Sequence, residues 1–492
     1  MDSRLSARTL LSALAAVMLS GAAFYSTYGL NPRWWAPWLA ALPVLWIAPR
    51  LPWWAITVAA LAAGAIGRLS MIGYYQRLQL PLGLLLASVI VPAAAFCLAV
   101  FLFRAFFRRK QPWLAALAFP SLVIAYEYLI SLSAGTFTST AYTQLKNLPV
   151  LQLGALAGLW GIGFAVMLFP SMIAAILLSP ARPRRQLSIA FVAIYACVLG
   201  YGVWRLSTAP NSPQTISIGL VASDLPQNTF PDKDPDAMRL LREYADQVKL
   251  LAQRGARIAV MPEMTAIVRD SIDAGVNALF RQTAREANIQ IVAGVLHATR
   301  RGTFNEARLY PESGAPPVVY RKRHLVPVVE DRTTPENDFE IVRHPAGIIG
   351  LAICRDMDYP DPARQYGQAQ AGLVLVPAWD FDIDRYWHGH LSILRGVENG
   401  FSVARAAKNG LLFVSDSRGR ILAETRTTPE LPFTSMLATV PVHHAVTLYQ
   451  FWGDWFAWLT LAILAALLIT LVARRPARTA PEAVKQSAQS SS

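Results

Sequence analysis

IIGLAICRDMD, residues 348–358, is a short apolar run that ends in a cysteine and then turns polar. Its first six residues have the composition of a buried β-strand, and Cys354 stands at the tip, directly before Arg355 and Asp356. A strand that delivers a thiol to its end presents a nucleophile at the edge of a sheet. The run therefore predicts a sheet with a reactive cysteine. Cys97 and Cys197, inside long apolar runs, are instead predicted to be small buried hydrophobes.

Two segments upstream have the same shape but carry other polar residues at the tip. Residues 257–262 (RIAVMP) end in Glu263, and residues 317–321 (PVVYR) lead to Lys322. A base that takes the thiol proton, a cation that holds an oxyanion and a thiol nucleophile are the groups that thioester chemistry needs. We therefore predict Glu263, Lys322 and Cys354 as catalytic residues.

Apolar runs at both ends of the chain predict a membrane protein that carries one soluble domain. The 492 residues are 54% hydrophobic and only 15% charged, below the roughly 25% of soluble chains. A spanning helix needs about 20 apolar residues, so residues 34–49 are short and are expected to tilt or re-enter. The candidate spans are residues 8–30, 34–49, 51–72, 79–103, 112–132, 150–178, 186–206 and 449–473.

The same runs predict the domain organisation. We expect a transmembrane domain of about seven helices over 1–206 and a linker over 207–213. A catalytic domain over 214–444, a closing helix over 445–475 and a disordered, Ala/Ser/Pro-rich tail over 476–492 complete the chain.

Basic residues in the short connections predict the orientation in the membrane. With eight spans, all the basic clusters fall on one side, which is the cytoplasmic side. The soluble domain is then in the periplasm of a two-membrane bacterium, and the net charge of +14 reflects the clusters rather than a nucleic-acid partner. A signal peptide is the alternative for the first span, but no small-x-small cleavage site follows it. The clusters are Arg4 and Arg8; Arg104, Arg108, Arg109 and Lys110; Arg182, Arg184 and Arg185; and Arg474, Arg475 and Arg478.

Residues 214–444 alternate β-rich runs with helical stretches. So many strands in about 230 residues imply two sheets with helices outside, an α/β layered sandwich. The predicted strands lie near 216–221, 258–261, 289–296, 318–320, 348–353, 373–376, 401–406 and 410–416, and helices near 235–254 and 272–287.

Several groups of residues resemble the motifs of one family. Met261-Pro262-Glu263 is similar to its Trp-Pro-Glu motif, and residues 320–327 (YRKRHLVP) with Glu330 are similar to its Lys-x-His-Leu-Val-Pro-Phe-Gly-Glu motif. On these residues the chain resembles the apolipoprotein N-acyltransferase family, which is the membrane-embedded branch of the nitrilase (carbon–nitrogen hydrolase) superfamily. Further matches are Arg395, Glu398, Gly400, Arg405, Asn409 and Gly410; Thr447, Tyr449 and Gly453-Asp454-Trp455; and the intramembrane Glu127 and Gln144.

The resemblance implies a multi-pass α-helical membrane domain and a nitrilase-like α/β domain, an αββα sandwich, on the periplasmic side of the bacterial inner membrane. It implies a Glu-Lys-Cys triad, here Glu263, Lys322 and Cys354. The implied activity moves a fatty acyl chain from a phospholipid, through a Cys354 thioester, to the N-terminal amine of a diacylated apolipoprotein. The phospholipid donor and the apolipoprotein acceptor are the expected partners of a monomer that has no cofactor.

Six further residues are candidates around this triad. Glu330 is expected to hydrogen-bond near Lys322, and Glu398 to orient Lys322 or the Cys354 loop. Asp356 is expected to support the nucleophile or simply to cap the helix after it. The candidates for substrate binding are Arg355, Trp379 as an acyl-chain wall, and Glu127. The plain structural alternatives are surface charge for Glu330 and Glu398, core packing for Trp379 and an intramembrane packing network for Glu127.

The chain departs from the family pattern around the thiol. Arg355-Asp356 stands where the family has Tyr-Glu, Val328-Val329 where it has Phe-Gly, and residues 376–381 (VPAWDF) where it has Asn-Asp-Ala-Trp-Phe-Gly. These departures leave open a membrane-tethered amidase with another amide substrate. A transporter would need polar residues through several spans, where the chain has chiefly Glu127, and an inactive scaffold would not need an intact triad.

No metal or nucleotide site is predicted. His388 and His390 flank Gly389, but no third ligand is apparent, which favours a surface or loop role for the pair. The chain has no Gly-rich phosphate loop either, so no cofactor is expected.

Overall fold

The computed structural model describes residues 6–208, 214–327, 329–337 and 339–473. They form a bundle of apolar helices and an α/β domain. Several predicted features lie outside the described residues: most of the linker, the tail over 476–492, Val328, and the basic residues Arg4, Arg474, Arg475 and Arg478.

Apolar helices make up the part of the chain before the α/β domain. They pack on one another through long side chains and small residues such as alanine and glycine. In chain order they are α1 (Ala7–Tyr28), α2 (Pro37–Ala40), α3 (Leu42–Ile47), α4 (Trp53–Arg68), α5 (Ile72–Arg77), α6 (Leu82–Arg108), α7 (Pro112–Ala134), α8 (Leu148–Leu151), α9 (Gly154–Leu178) and α10 (Ala181–Ser207).

Within the described ranges, seven helical segments are long and apolar enough to cross a membrane. Seven of the eight predicted spans are therefore confirmed as long apolar helices, and the chain is a membrane protein. The predicted span over 34–49 is different, because it forms the two short helices α2 and α3. Pro43 lies in the first turn of α3, where proline starts a helix but cannot continue the preceding one. The seven segments are Ala7–Tyr28, Trp53–Arg77, Leu82–Arg108, Pro112–Ala134, Gly154–Leu178, Ala181–Ser207 and Trp455–Ala473.

The two short helices α2 and α3 still connect the two ends of the bundle. The indole Nε1 of Trp38 donates to Gln144 Oε1 at 3.0 Å, beyond the C-terminal end of α7. The carbonyl of Ala48 accepts from Arg104 Nε at 2.9 Å, near the other end of α7. Residues 34–49 therefore lead the chain from one end of the bundle to the other, as an eighth crossing would.

One basic cluster also lies next to the end of the last helix. Arg109 Nη1 donates to the carbonyl of Leu471 at 2.8 Å. The cluster over 104–110 and the C-terminal end of the last apolar helix thus share one end of the bundle. Which side of the membrane this end faces stays a prediction.

The described residues of the α/β domain form two sheets and four α-helices. Its helices are α11 (Asp234–Gln253), α12 (Asp270–Ala287), α13 (Pro360–Gln368) and α14 (Arg385–Asn399). Its strands are β1 (Thr215–Ala222), β2 (Ile258–Val260), β3 (Ile267–Arg269), β4 (Gln290–Thr299), β5 (Gly302–Tyr310), β6 (Val318–Arg321), β7 (Ile341–His344), β8 (Gly347–Leu351), β9 (Leu373–Trp379), β10 (Ser402–Lys408), β11 (Leu411–Ser415), β12 (Ile421–Arg426) and β13 (Thr434–Pro441).

The two sheets pack face to face between two helical layers. The first has the order β13-β1-β2-β4-β5-β6, with β3 beside β4, and the second has the order β12-β11-β10-β9-β8-β7. One apolar core lies between the sheets. A second lies under α11 and α12 on the first sheet, and a third under α13 and α14 on the second. The predicted fold class, a multi-pass helical membrane domain plus an αββα sandwich, is confirmed.

After β13 the chain returns to the bundle through α15 (Leu448–Trp452) and α16 (Trp455–Ala473). Here the two parts are joined at a kink in α9. Gly158 has a φ of +64°, and an added Cβ would lie 2.3 Å from the ring of Tyr449. The kink exposes the amide of Leu159, which donates to Glu398 Oε1 of α14 at 2.7 Å. Only glycine fits this crossing, and Glu398 caps the second half of α9.

Candidate active site

A cavity of about 260 Å³ at the ends of the two sheets brings together the three residues that the strand ends predicted. Glu263 follows β2, Lys322 follows β6 and Cys354 follows β8. All three side chains are buried. The other lining residues are Met264, Val326, Val329, Glu330, Trp379, Asp380, Phe381, Asp382, His388 and Asn409.

Lys322 is the centre of the charged end of the cavity. Its Nζ donates to Glu263 Oε1 at 2.7 Å and to Glu330 Oε2 at 2.6 Å. Asn305 of β5 joins the same two carboxylates, because its Nδ2 donates to Glu263 Oε1 at 2.7 Å and to Glu330 Oε1 at 2.8 Å. The amide of Val326 donates to Glu330 as well, at 2.8 Å. Each buried charge therefore has the partners that it needs.

The charges around the sulfur decide its resting state. Burial lowers the pKa of Lys322, but the carboxylates of Glu263 and Glu330 outweigh burial and raise this pKa well above its usual value. Burial and the carboxylates of Glu263 and Asp380 raise the pKa of the Cys354 thiol well above its usual value, and Lys322 and Arg405 offset this only in part. At neutral pH the site thus holds an ammonium cation and a protonated thiol. The thiol needs a base at the moment of attack.

Cys354 sits on a sharp turn between β8 and a short 3₁₀ helix, Cys354–Asp358. Its φ is +44°, in the left-handed region that side chains other than glycine rarely adopt. Such strain costs of order 1–3 kcal/mol and persists only where the surroundings hold it. The Sγ lies 3.5 Å from the carbonyl of Trp379, so the turn aims the sulfur at the end of β9.

Asp356 holds this turn. Its Oδ2 accepts from the amide of Ile353 at 3.1 Å and from the hydroxyl of Tyr320 at 2.8 Å. Its Oδ1 accepts from the amides of Arg323 and His324, at 3.1 Å and 2.9 Å. The side chain both caps the 3₁₀ helix and ties the Cys354 turn to the segment that carries Lys322. The sequence offered two alternatives for Asp356, a cap of the helix or a support of the nucleophile, and one set of hydrogen bonds corresponds to both.

The two candidates for substrate contact in the α/β domain have different positions. Trp379 lines the cavity, and Nζ of the buried Lys408 lies 3.7 Å from the centre of its ring. Arg355 instead points away from the cavity lining. It donates to the carbonyl of Leu325 at 3.1 Å and to the hydroxyl of Tyr359 at 3.2 Å. Of the two, Trp379 alone borders the space next to the sulfur.

Glu127 and Glu398 do not join the cavity. Glu127 is buried at the end of the bundle, where it accepts from Ser139 Oγ at 2.9 Å and from Thr140 Oγ1 at 2.5 Å. This is the intramembrane network that was its structural alternative. Glu398 was expected to orient Lys322 or the Cys354 loop, but its carboxylate pairs with Arg395 at 2.8 Å and caps α9. The helix α14 places it on the side of the domain that meets the bundle.

A second set of charged residues near the sulfur was not predicted from the sequence. Arg405 Nη1 and Nη2 donate to the two oxygens of Asp380 at 2.8 Å and 2.6 Å, and His388 Nδ1 lies 3.0 Å from Asp380 Oδ1. The expected surface or loop role of the histidine pair is wrong for His388, which is buried on α14 and lines the cavity. His390 points elsewhere and pairs with Glu424.

This set also bears on metal binding. Cys354, Asp380 and His388 each offer one donor atom, and the three atoms lie within 4.8 Å of one another. A third donor therefore exists, although none was apparent from the sequence. Arg405 already occupies both oxygens of Asp380, however, and adds a positive charge that disfavours a cation. We describe these residues as an ion-pair network and assign no metal to them.

Comparison with known proteins matches both parts of the chain. The model of the apolipoprotein N-acyltransferase N-terminal domain matches residues 16–172, and the carbon-nitrogen hydrolase model matches residues 222–439. The apolipoprotein N-acyltransferase of Gloeobacter violaceus is 25% identical over 372 residues, which cover 70% of this chain and 68% of that protein. The one of Geobacter metallireducens is 24% identical over 396 residues, 73% of this chain and 74% of that protein.

A similarity to hydrolases is confined to a smaller part of the chain. The human deaminated glutathione amidase is 29% identical over 203 residues, which cover 36% of this chain and 62% of the amidase. The relatives that match the greater part of this chain are the acyltransferases.

Proposed function

We propose that this chain, which belongs to the apolipoprotein N-acyltransferase family, moves a fatty acyl group from a phospholipid to the N-terminal amine of a diacylated apolipoprotein. The acyl group travels as a thioester on Cys354. The observation that carries this proposal is the buried Lys322, bonded to Glu263 and Glu330 in the cavity that Cys354 lines. The same chain also contains a helix bundle that matches the N-terminal domain of the apolipoprotein N-acyltransferases. The amidase alternative rests on the smaller match.

In the first half-reaction Glu263 is the base. It takes the thiol proton of Cys354, and the sulfur attacks the ester carbonyl of the phospholipid. Lys322 holds the negative oxygen of the tetrahedral intermediate, because its ammonium is fixed by two carboxylates before the substrate arrives. The C–O bond then breaks, Glu263 returns the proton to the leaving alkoxide, and a lysophospholipid departs.

In the second half-reaction the amine of the apolipoprotein attacks the thioester carbonyl. Glu263 removes a proton from the attacking nitrogen, and Lys322 again holds the oxyanion. The C–S bond breaks, and the sulfur leaves as a thiolate that recovers the proton from Glu263. The products are an amide and the free thiol, so the cycle needs no cofactor.

The other roles follow from position. Glu330 and Asp356 are positioning residues for Lys322 and for the Cys354 turn, and Trp379 is a wall of the acyl site. We also propose domain boundaries at 206, 214, 444 and 475 and a monomeric state. The protein lies in the inner membrane, with residues 214–444 in the periplasm. The orientation is supported by the basic clusters at the ends of the apolar helices.

The experiment is a search for the acyl-enzyme. Purified protein is mixed with a phospholipid, and the peptide that contains Cys354 is weighed by mass spectrometry. We expect one fatty-acyl mass on this cysteine, removable by neutral hydroxylamine as a thioester is. Cys354→Ala should carry none. The matched control is Cys197→Ser, which should be acylated like the wild type; Cys197 was predicted to be buried, but it is exposed.

The second step separates the transferase from the hydrolase. The thioester should persist in buffer and pass to a diacylated peptide with a free N-terminal amine. Rapid release of free fatty acid without an amine would reject the transferase and leave a hydrolase. Absence of any acyl group on Cys354 of folded wild-type protein would reject the thioester route itself.

A further inference from the structure

His388 places an imidazole next to the sulfur of Cys354. Unlike Glu263 and Lys322, it follows Cys354 in the sequence. It lies on α14, lines the same cavity and is buried. One of its ring nitrogens, Cys354 Sγ and an oxygen of Asp380 lie within 4.8 Å of one another. Glu263 and Lys322 act in both half-reactions, whereas His388 takes part in neither of the steps described for them.

The surroundings of the imidazole fix its charge. Nδ1 lies 3.0 Å from Asp380 Oδ1, and Nε2 lies 3.4 Å from Asp358 Oδ1. A carboxylate near each nitrogen favours the imidazolium, which carries a proton on both nitrogens. Burial alone lowers the pKa of His388, but Asp358 and Asp380 reverse this and raise it to about 10. His388 is therefore a cation at neutral pH.

The other charged groups around His388 and Cys354 carry both signs. Asp380 is held by Arg405, which with His388 overcomes burial and lowers the pKa of this carboxyl to about 2. Asp384 also faces the imidazole, and burial raises its pKa, while the hydroxyl of Tyr74 donates to it at 3.1 Å. A sulfur anion at Cys354 would face His388, Arg405 and Lys322 as cations, and Asp380 and Glu263 as the anions that oppose them.

We infer that His388 is a further positioning residue of the thiol site: its imidazolium, clamped between Asp358 and Asp380, stabilises the Cys354 thiolate. The inference deepens the proposed function, because it concerns the anion that both half-reactions pass through. A cation within about 5 Å of a buried thiolate lowers the free energy of the anion and not that of the neutral thiol. Glu263 then removes the proton more easily.

The bundle holds the clamp in place. Asp358 accepts through its backbone carbonyl from the amide and the hydroxyl of Thr136, at 2.9 Å and 2.6 Å. The ring of Phe137 packs edge-on against His388, with 6.0 Å between the ring centres. Residues 136 and 137 follow α7, so the membrane part both anchors Asp358 and shields the imidazolium from water.

The test measures the thiolate and needs no phospholipid. Iodoacetamide alkylates the thiolate form, and its rate at Cys354 is followed by mass spectrometry between pH 6 and pH 10. We expect His388→Gln to lower the rate at pH 7 at least about tenfold and to move the profile about one unit or more toward high pH. His390→Gln, on the same helix but outside this cavity, is the matched control and should keep the wild-type profile.

A second variant separates the charge of His388 from its packing. Asp358→Asn leaves the ring in place but removes one carboxylate, so the imidazole should lose its proton within the measured range. This variant should resemble the wild type at pH 6 and His388→Gln at pH 9, whereas a purely structural role would lower the rate by one factor at every pH. His388→Lys, which keeps a cation, should restore part of the rate.

An unchanged profile in folded His388→Gln would overturn the inference. So would a constant ratio between Asp358→Asn and the wild type across the pH range. If the wild type forms no acyl-enzyme while the profiles shift as expected, the proposed function fails and the role of His388 stands.

Discussion

Replacement of Glu330 by Gln tests the arrangement of Lys322 between two carboxylates. The Lys322 Nζ–Glu330 Oε2 bond is 2.6 Å long and fully buried, and Glu330 also accepts from Asn305. Glu330→Gln keeps the shape and an acceptor oxygen but removes one charge. Lys322 then has Glu263 as its remaining anionic partner and draws it into a tighter ion pair, which makes Glu263 a weaker base for the thiol.

The expected size follows from the bond that is weakened. A hydrogen bond to a charged group contributes about 1.5–3 kcal/mol, and each 1.36 kcal/mol corresponds to tenfold in rate. Acyl-enzyme formation on Cys354 should therefore slow by roughly 10- to 150-fold. Glu336→Gln is the matched control, because Glu336 lies in the same segment, is 38% exposed and pairs with Arg321 at 3.6 Å. Its rate should stay within about twofold of the wild type, since exposed pairs contribute little.

The assay is the single-turnover rate of acylation, with thermal unfolding measured on the same samples. Loss of one member of a buried pair also costs stability, about 3–5 kcal/mol in the strongest cases, so the rate is referred to the folded fraction. A folded Glu330→Gln protein that acylates at the wild-type rate would refute the reasoning. A lower melting temperature with an unchanged rate would reduce Glu330 to a structural residue.

Two further predictions concern the join between the parts and the topology. Gly158→Ala should lower the melting temperature, because its Cβ would lie 2.3 Å from the ring of Tyr449 at a φ of +64°, while Gly200→Ala, with nothing within 4 Å, should leave the melting temperature unchanged or slightly raised. A periplasmic phosphatase fused at about residue 330 should be active and one fused after Arg478 inactive.

Equal melting temperatures for the two glycine variants would contradict the tight crossing at the kink of α9. The reverse pattern of phosphatase activity would place residues 214–444 in the cytoplasm.

The sequence predicts the fold best where a short apolar run ends in a reactive or charged residue. β2, β6 and β8 were found because each is short, apolar and followed at once by Glu263, Lys322 or Cys354. Since the tips of packed sheets meet, these three positions imply a common site before any contact is known. Long apolar runs likewise predict the seven long apolar helices, because the thickness of a bilayer sets their length, but the eighth run, over 34–49, forms two short helices.

Polar residues that become buried in the fold were not predictable in this way. β5 (Gly302–Tyr310) contains Asn305, Glu306 and Arg308, and as a sequence it has the polar composition of a loop. All three side chains are buried, because Glu306 and Arg308 pair with each other at 2.7 Å and Asn305 bonds to the two acids of the site. Their remaining partners lie elsewhere in the chain, so the local stretch carries no sign of the burial. They are His297 for Glu306, Asp273 for Arg308, and Glu263 and Glu330 for Asn305.

The motif residues show a related limit. A motif identifies a position as important without saying what it touches, and Glu398 illustrates this. Its place in the Arg-x-x-Glu pattern suggested a role at Lys322, yet the geometry of α14 directs it to the amide that the Gly158 kink exposes. His388, on the same helix, was expected in a surface or loop role, because Asp358 and Asp380 precede α14 and meet the imidazole only in the fold.

Through His388 and Glu398, α14 contacts both the cavity that contains Cys354 and the helix bundle. Near its start, His388 lies against Cys354 and Asp380 on one side and is packed by Phe137 of the bundle on the other. Near its end, Glu398 is a fully buried carboxylate that caps α9. The bundle supplies the Leu159 amide to this carboxylate, whereas its other partner, Arg395, lies on α14 itself. The bundle therefore contacts the helix that carries His388 near both of its ends.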